Sequence, residues 1–253
     1  MNSGDYLSPS VIHNYLQENY QKVNFYLTAF NAGCFTFMMH YSGLEGCLMS
    51  MTIAGLTISI DLAYGKAFWN NLKTASLNGY SNDQVIWLAT LNYFLVFPGS
   101  LMAISMAFPK LVVPYFSFGW VLKAAVLLGF SELAFTTLHC YLHTAIHKFH
   151  TLHHCCKTPS YSSNFIFHPF DLSLEFGAPN IAIIVINNLT FQDEWAALTA
   201  MAVSVLFYTL DHDEYFNSPH LRHHSGLTSP YHAYLDIRMT LNDKLRSTIK
   251  TSE

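Results

Sequence analysis

The sequence predicts an all-α integral membrane protein, with about four transmembrane helices under a helical, histidine-rich cap on the cytosolic side. Three observations lead there. Of the 253 residues, 51% are hydrophobic and only 11% charged, against about 25% charged in a typical soluble domain. Uncharged apolar runs recur at lengths that suit a bilayer crossing. Twelve of the fourteen histidines lie between residues 139 and 232, after the last of those runs.

The length suits a single membrane domain, divided into an N-terminal segment 1–22, a transmembrane region 23–138 and a histidine-rich cap 139–253. Ser8-Pro9 reads as a helix start, with serine as the cap and proline in the first turn. The stretch from there to Lys22 is amphipathic and is expected on a membrane surface. Its first twenty residues hold no apolar core, so no cleaved signal peptide is expected. Val23 to His40 is the first expected span. The link Gly43-Leu44-Glu45-Gly46 leads into a second, Cys47 to Tyr64, with Asp61 near its end. Residues 65–83 are polar. Gln84 to Phe108 is the third span, with a kink expected at Pro98-Gly99. Residues 109–116 form a short loop. Ser117 to Leu138 is the fourth span and runs into the histidine region without a breaker.

Four spans place both ends on one side. The positive-inside rule puts Lys22, Lys66, Lys73, Lys148, Lys157 and the basic tail in the cytosol, leaving Lys110 in the far loops. Lys123 would then snorkel outward. Ile181 to Leu189 is too short to span, so it and Trp195 to Leu210 are expected as a hairpin dipping into the membrane or a core pair of the cap. The sequon Asn188-Leu189-Thr190 would stay unmodified on this topology. Scattered basic residues and a net charge of −4 give no footprint for nucleic acid. The five cysteines form no CxxC pair and read as reduced thiols.

The histidines carry the chemistry. His139-x3-His143, His150-x2-His153-His154 and His220-x2-His223-His224 space their rings three or four residues apart, which puts them on one helix face. Neutral imidazole suits iron, zinc, copper and nickel alike. A lone histidine is more often a satisfied structural residue, and that is the reading for His13, His40 and His232. On one straight helix, His139 through His154 would share an arc of about 120° yet extend about 22 Å. Two metals in a shared site lie only about 4 Å apart. A break between His143 and His150 is therefore required, and His147 lies in it as the weakest candidate. Eight histidines exceed the needs of one ion, so two metals are expected. His168, before Pro169, and His212 are further candidate ligands, with a structural role equally open for each. Asp211, Asp213 and Glu214 are candidate carboxylate partners for the rings.

These three boxes resemble those of the fatty acid hydroxylase superfamily, which includes sterol desaturases, sterol oxidases and sphingolipid hydroxylases; the resemblance covers residues 132–236. His168-Pro169 resembles the family's intermediate His-Pro element, and His212 the histidine before its third box. Tyr234 and Asp236 resemble its closing segment. The resemblance implies two iron ions (zinc is possible in purified protein), dioxygen, and electrons from NAD(P)H by way of cytochrome b5 or a similar carrier. It also implies a lipid substrate drawn from the bilayer, hydroxylated or desaturated, and an endoplasmic-reticulum location. Six residues separate His143 from His150 and seven separate His212 from His220, both shorter than relatives usually carry, so no substrate subfamily is selected. An acyl desaturase and a carotenoid hydroxylase are the alternatives in the same chemistry; their first boxes are spaced differently. A metal-binding membrane protein without catalysis is the non-enzyme alternative. A transporter would carry its ligands near the bilayer midplane, whereas these follow the fourth span.

Overall fold

A computed structural model describes residues 9–107, 119–158, 160–211, 220, 223 and 224, without side-chain detail at 35–42, 105 and 107. Every regular element among them is helical: α1 (Pro9–Tyr64), α2 (Ala67–Leu77), α3 (Asn82–Leu91), a π-helical turn (Asn92–Val96), α4 (Phe97–Ala107), α5 (Trp120–Thr144), α6 (His147–His150), 3-10 turns His153–Cys155 and Tyr161–Phe165, α7 (Pro169–Leu189) and α8 (Glu194–Leu210). Among the described residues, four helices are long and apolar enough to cross a membrane: Gly43–Tyr64, Asn82–Ile104, Trp120–Thr144 and Pro169–Leu189.

α1 is helical throughout its 56 residues, yet it folds back on itself. His13 Nδ1 lies 3.2 Å from Tyr64 Oη, and a straight helix would hold those residues about 77 Å apart. Inside the hairpin, Ser50 donates to Asn31 Oδ1 at 2.9 Å, and Asn31 Nδ2 donates back to the Ser50 carbonyl at 3.4 Å. The two pairings centre the reversal near residue 40, a few positions before the Gly43–Gly46 link expected to make it. The amphipathic segment before Lys22 is thus the start of the first arm rather than a separate element. Its apolar side chains Val11, Ile12 and Tyr15 are exposed.

Just before Pro98, where a kink is expected, the third expected span carries a π-helical turn. Proline supplies no N–H and its ring crowds the carbonyl one turn back, and a wider turn relieves both. The turn also aims Asn92 inward, where its amide donates to the Phe165 and Phe167 carbonyls at 2.9 Å each. Next to it, Tyr93 Oη donates to the Met51 carbonyl at 2.6 Å. Gly55 makes room for that approach, since a Cβ there would stand 2.5 Å from Tyr93 Oη.

The described chain after α5 is built differently from the expected cap. The apolar run at Ile181–Leu189 is the end of a 21-residue helix that begins at Pro169, which makes it long enough to cross. The His168 ring caps it, Nδ1 accepting from the Phe170 N–H at 3.2 Å, with Pro169 in the first turn. α7 and α8 then line α5 along its length. At one end Lys123 Nζ meets Asp193 Oδ2 at 2.8 Å, in the α7–α8 turn. Further along, Ser131 and Ser204 hydroxyls lie 3.2 Å apart. At the other end the α7 carboxylates reach the histidines of α5 and α6. Hence α8 runs parallel to α5 and α7 antiparallel to it. The seam is Ala124 and Leu127 against Ile183, Ala196, Ala197, Ala200 and Met201, all buried. Small side chains there let the backbones approach closely.

Candidate metal centre

α5 ends at Thr144, and the chain breaks at Ala145 and Ile146 before α6 starts at His147. This break, in the interval where helix length demands one, folds the second histidine box back onto the first. His139 and His143, one turn apart on α5, stack with their ring planes 4° apart. His150 on α6 and His153 and His154 on the following 3-10 turn face them, and His220, His223 and His224 close the set.

All eight rings point Nε2 inward. His139 and His143 Nε2 lie 3.1 Å apart, His150 and His139 3.2 Å, His154 and His143 3.0 Å, His154 and His150 2.9 Å, and His223 and His143 2.9 Å. A second group joins His220 to His224 at 3.0 Å and to His153 at 3.4 Å. Two nitrogens bound to one metal at about 2.1 Å stand about 3.0 Å apart at a right angle and about 3.4 Å apart at a tetrahedral angle. The observed separations fall in that interval. A neutral imidazole has only one N–H, so a ring of mutually facing nitrogens cannot be satisfied by hydrogen bonds among its own members. A cation at the centre satisfies them all. Three buried or nearly buried groups have the donors and spacing to hold a metal ion: His139, His143, His154 and His223; His153, His220 and His224; and His139, His150 and Glu175.

Electrostatics favour the neutral rings that ligation needs. Burial, reinforced by the charges that His154 and His143 would carry, holds His150 far below the ordinary histidine range. His223 is brought down to about 4, first by burial and then by His143. Cys155 and Cys156 are buried free thiols behind the second box, packed with Phe68 and Leu72, and burial raises both above the usual thiol range. They remain protonated near neutrality, which suits a core role better than metal ligation.

Two carboxylates of α7, which the sequence reading did not single out, face the rings. Asp171, fully buried in the first turn of α7, places Oδ1 and Oδ2 3.1 and 3.0 Å from His150 Nδ1. That contact puts the proton on Nδ1 and turns the Nε2 lone pair toward the cluster. One turn later, Glu175 sets Oε1 3.5 Å from Nδ1 of both His139 and His150, and Oε2 4.0 Å from His153 Nε2. Pro179 cannot donate to the Glu175 carbonyl, so the helix has lost a backbone bond next to this side chain. Asp211 is buried beside the site and lines the neighbouring cavity. Asp213, Glu214, His212, Tyr234 and Asp236 lie outside the described residues.

His168 stands apart from the three groups. Its Nδ1 is engaged in capping α7 and its ring packs on Phe149 with centroids 4.7 Å apart. His147 is exposed and bonds Thr151 within its own turn. Asp171 and Glu175 were the residues missed. The available signal was their place one turn apart just after His168-Pro169, but nothing in linear spacing tells which histidine an acid 21 residues away will meet.

An internal cavity opens against the cluster, bringing His220, Glu175 and Asp211 to the same space as Phe135, Phe167 and Phe176. Phe167 also stacks on His153 with centroids 3.8 Å apart, locking that ring. No family model matches the chain, and neither a curated protein nor a solved structure matches it.

Proposed function

We propose that the protein is a membrane-bound di-iron oxygenase of the fatty acid hydroxylase type, which hydroxylates or desaturates a lipid. The observation that carries this reading is the convergence of eight Nε2 atoms, 2.9–3.4 Å apart between neighbours, beside a largely aromatic cavity inside a helical bundle. His139, His143, His150, His154 and His223 would hold one iron, and His153, His220 and His224 the other. The bound metals supply the activation of dioxygen that an unactivated C–H bond requires, since such a bond offers no acid, base or leaving group.

In a hydroxylation, one oxygen atom of O2 enters the lipid C–H bond and the other leaves as water. The reaction consumes two protons and two electrons, the latter from NAD(P)H through cytochrome b5 or a similar carrier. In a desaturation the same electrons and oxidant remove two hydrogens, and both oxygen atoms leave as water. The protein's own residues orient and exclude. Asp171 and Glu175 hold the proton on Nδ1 of the rings they face, leaving Nε2 aimed at the centre. Phe135, Phe167 and Phe176 keep water from the cavity wall where the reacting carbon would lie. Glu175 and Asp211, both reaching the cavity, are the groups positioned to pass protons. The lysines of the polar segments favour a cytosolic histidine end, and the resemblance to the hydroxylase family suggests an endoplasmic-reticulum membrane.

Metal analysis of purified protein, combined with lipid profiling of cells expressing it with iron, oxygen and an electron donor, tests the proposal. Two metals per chain and a new oxidised lipid are expected. Two metals with an unchanged lipidome would favour a metal-binding protein without catalysis, and one metal per chain would overturn the di-iron centre.

A further inference from the structure

The cavity beside the histidines has a second, polar wall. Thr28, Asn31 and Ser50 of the α1 hairpin line it, with Tyr161, Asn164 and Thr209 nearby. Asn31 and Ser50 bond each other across the hairpin, and Asn164 donates to the Thr209 carbonyl at 3.1 Å. Thr28 differs: it is 1% exposed, and among the described residues its hydroxyl has no hydrogen-bond partner. A helical threonine usually bonds the carbonyl one turn back. One turn away on the same face, the carboxamide oxygen of buried Asn24 is equally unmatched. An unpaired buried hydroxyl is destabilising, and a ligand group at this wall would relieve it.

The charge of the lining restricts that ligand. Among the described residues, no lysine or arginine borders the cavity, while Glu175 and Asp211 do. Against this described lining, a carboxylate, phosphate or coenzyme A head would meet two acids and lose its own hydration. At the Thr28, Asn31 and Ser50 wall, a hydroxyl or amide head meets uncharged donors and acceptors.

We propose that this cavity selects lipids with an uncharged hydroxyl-bearing head, and that Thr28 is the residue that binds that head while the apolar body extends along the phenylalanines to the histidine end. The inference builds on the lipid-oxygenase reading, but its test reads binding and needs no turnover.

Full-length protein in detergent micelles is assayed with radiolabelled oleyl alcohol, oleic acid and oleoyl-CoA, three probes that share one chain and differ in the head. Oleyl alcohol is expected to bind at least tenfold tighter than either anionic probe. Thr28→Val should weaken the alcohol about three- to tenfold, the range for losing one neutral hydrogen bond. Thr28→Ser should restore it, and oleate should be indifferent to both changes. Equal or tighter binding of oleate or oleoyl-CoA would overturn the proposal, as would a folded Thr28→Val protein with unaltered alcohol affinity. Should Thr28→Val fail to fold, the wild-type preference between alcohol and acid still decides. Alcohol binding without oxidation would count against the oxygenase alone, and oxidation of an anionic lipid against the uncharged-head selection alone.

Discussion

Replacing Asp171 with asparagine is the sharpest perturbation of the histidine cluster that leaves its ligands in place. Asp171 is fully buried, and both its oxygens lie within 3.1 Å of His150 Nδ1. Asparagine keeps the volume and one acceptor but removes the negative charge, and it turns an N–H2 toward a ring N–H. His150 Nε2 becomes a poorer donor, and its ring is free to rotate off the site. Loss of such an orienting partner costs about 10- to 100-fold in metal affinity or activity, equivalent to about 1.4–2.7 kcal/mol. The assay is metal retention measured by mass spectrometry after dialysis against a graded series of chelator-buffered metal, with thermal unfolding followed in parallel. The D83N variant, at an exposed carboxylate in the first turn of α3, serves as the control and should match wild type. Retention by D171N within twofold of wild type would refute the reasoning, because the carboxylate would then have no hold on a ligand.

Further variants separate the two metal positions from the scaffold. His224→Ala removes a donor only from the His153–His220–His224 group, and metal content is expected to fall from two ions per chain toward one. Gly55→Ala drives a methyl to 2.5 Å from Tyr93 Oη, displacing its bond to the Met51 carbonyl, and should lower stability by about 1–3 kcal/mol. In a Tyr93→Phe background the same change should cost about 1 kcal/mol less, a non-additivity readable by thermal unfolding. Asn92→Leu leaves the Phe165 and Phe167 carbonyls without their 2.9 Å donor. It should destabilise by about 2–4 kcal/mol and loosen the chain segment just before α7.

The histidine centre was legible because its spacing and the length of a helix conflict. Rings at His139 and His154 share a face but stand too far apart on a straight helix, so a break near Ala145 follows from geometry alone. The convergence of His220 to His224 on the same point follows from the two-metal count. What stayed hidden depended on contacts distant in sequence. The Asp171–His150 pair and the Lys123–Asp193 pair leave no periodic trace, so nothing in the sequence tied Asp171 to a histidine. The seven residues before Gly177 include Asp171 and Glu175, and these charges cut the apolar run of α7 to its last third. Both acids point at the histidines, which explains how a charged turn sits in a helix long enough to cross a bilayer. The α1 reversal was misplaced because glycines mark a turn only where the backbone needs them, and Gly43 and Gly46 are helical here.

Metal-edge X-ray absorption on purified full-length protein, with the metal counted per chain, bears most directly on the claim that these imidazoles share two ions. The account predicts two ions per chain, a nitrogen shell at about 2.0–2.2 Å with imidazole backscattering, and a second metal within about 4 Å. A single ion per chain, or a shell without imidazole, would contradict it.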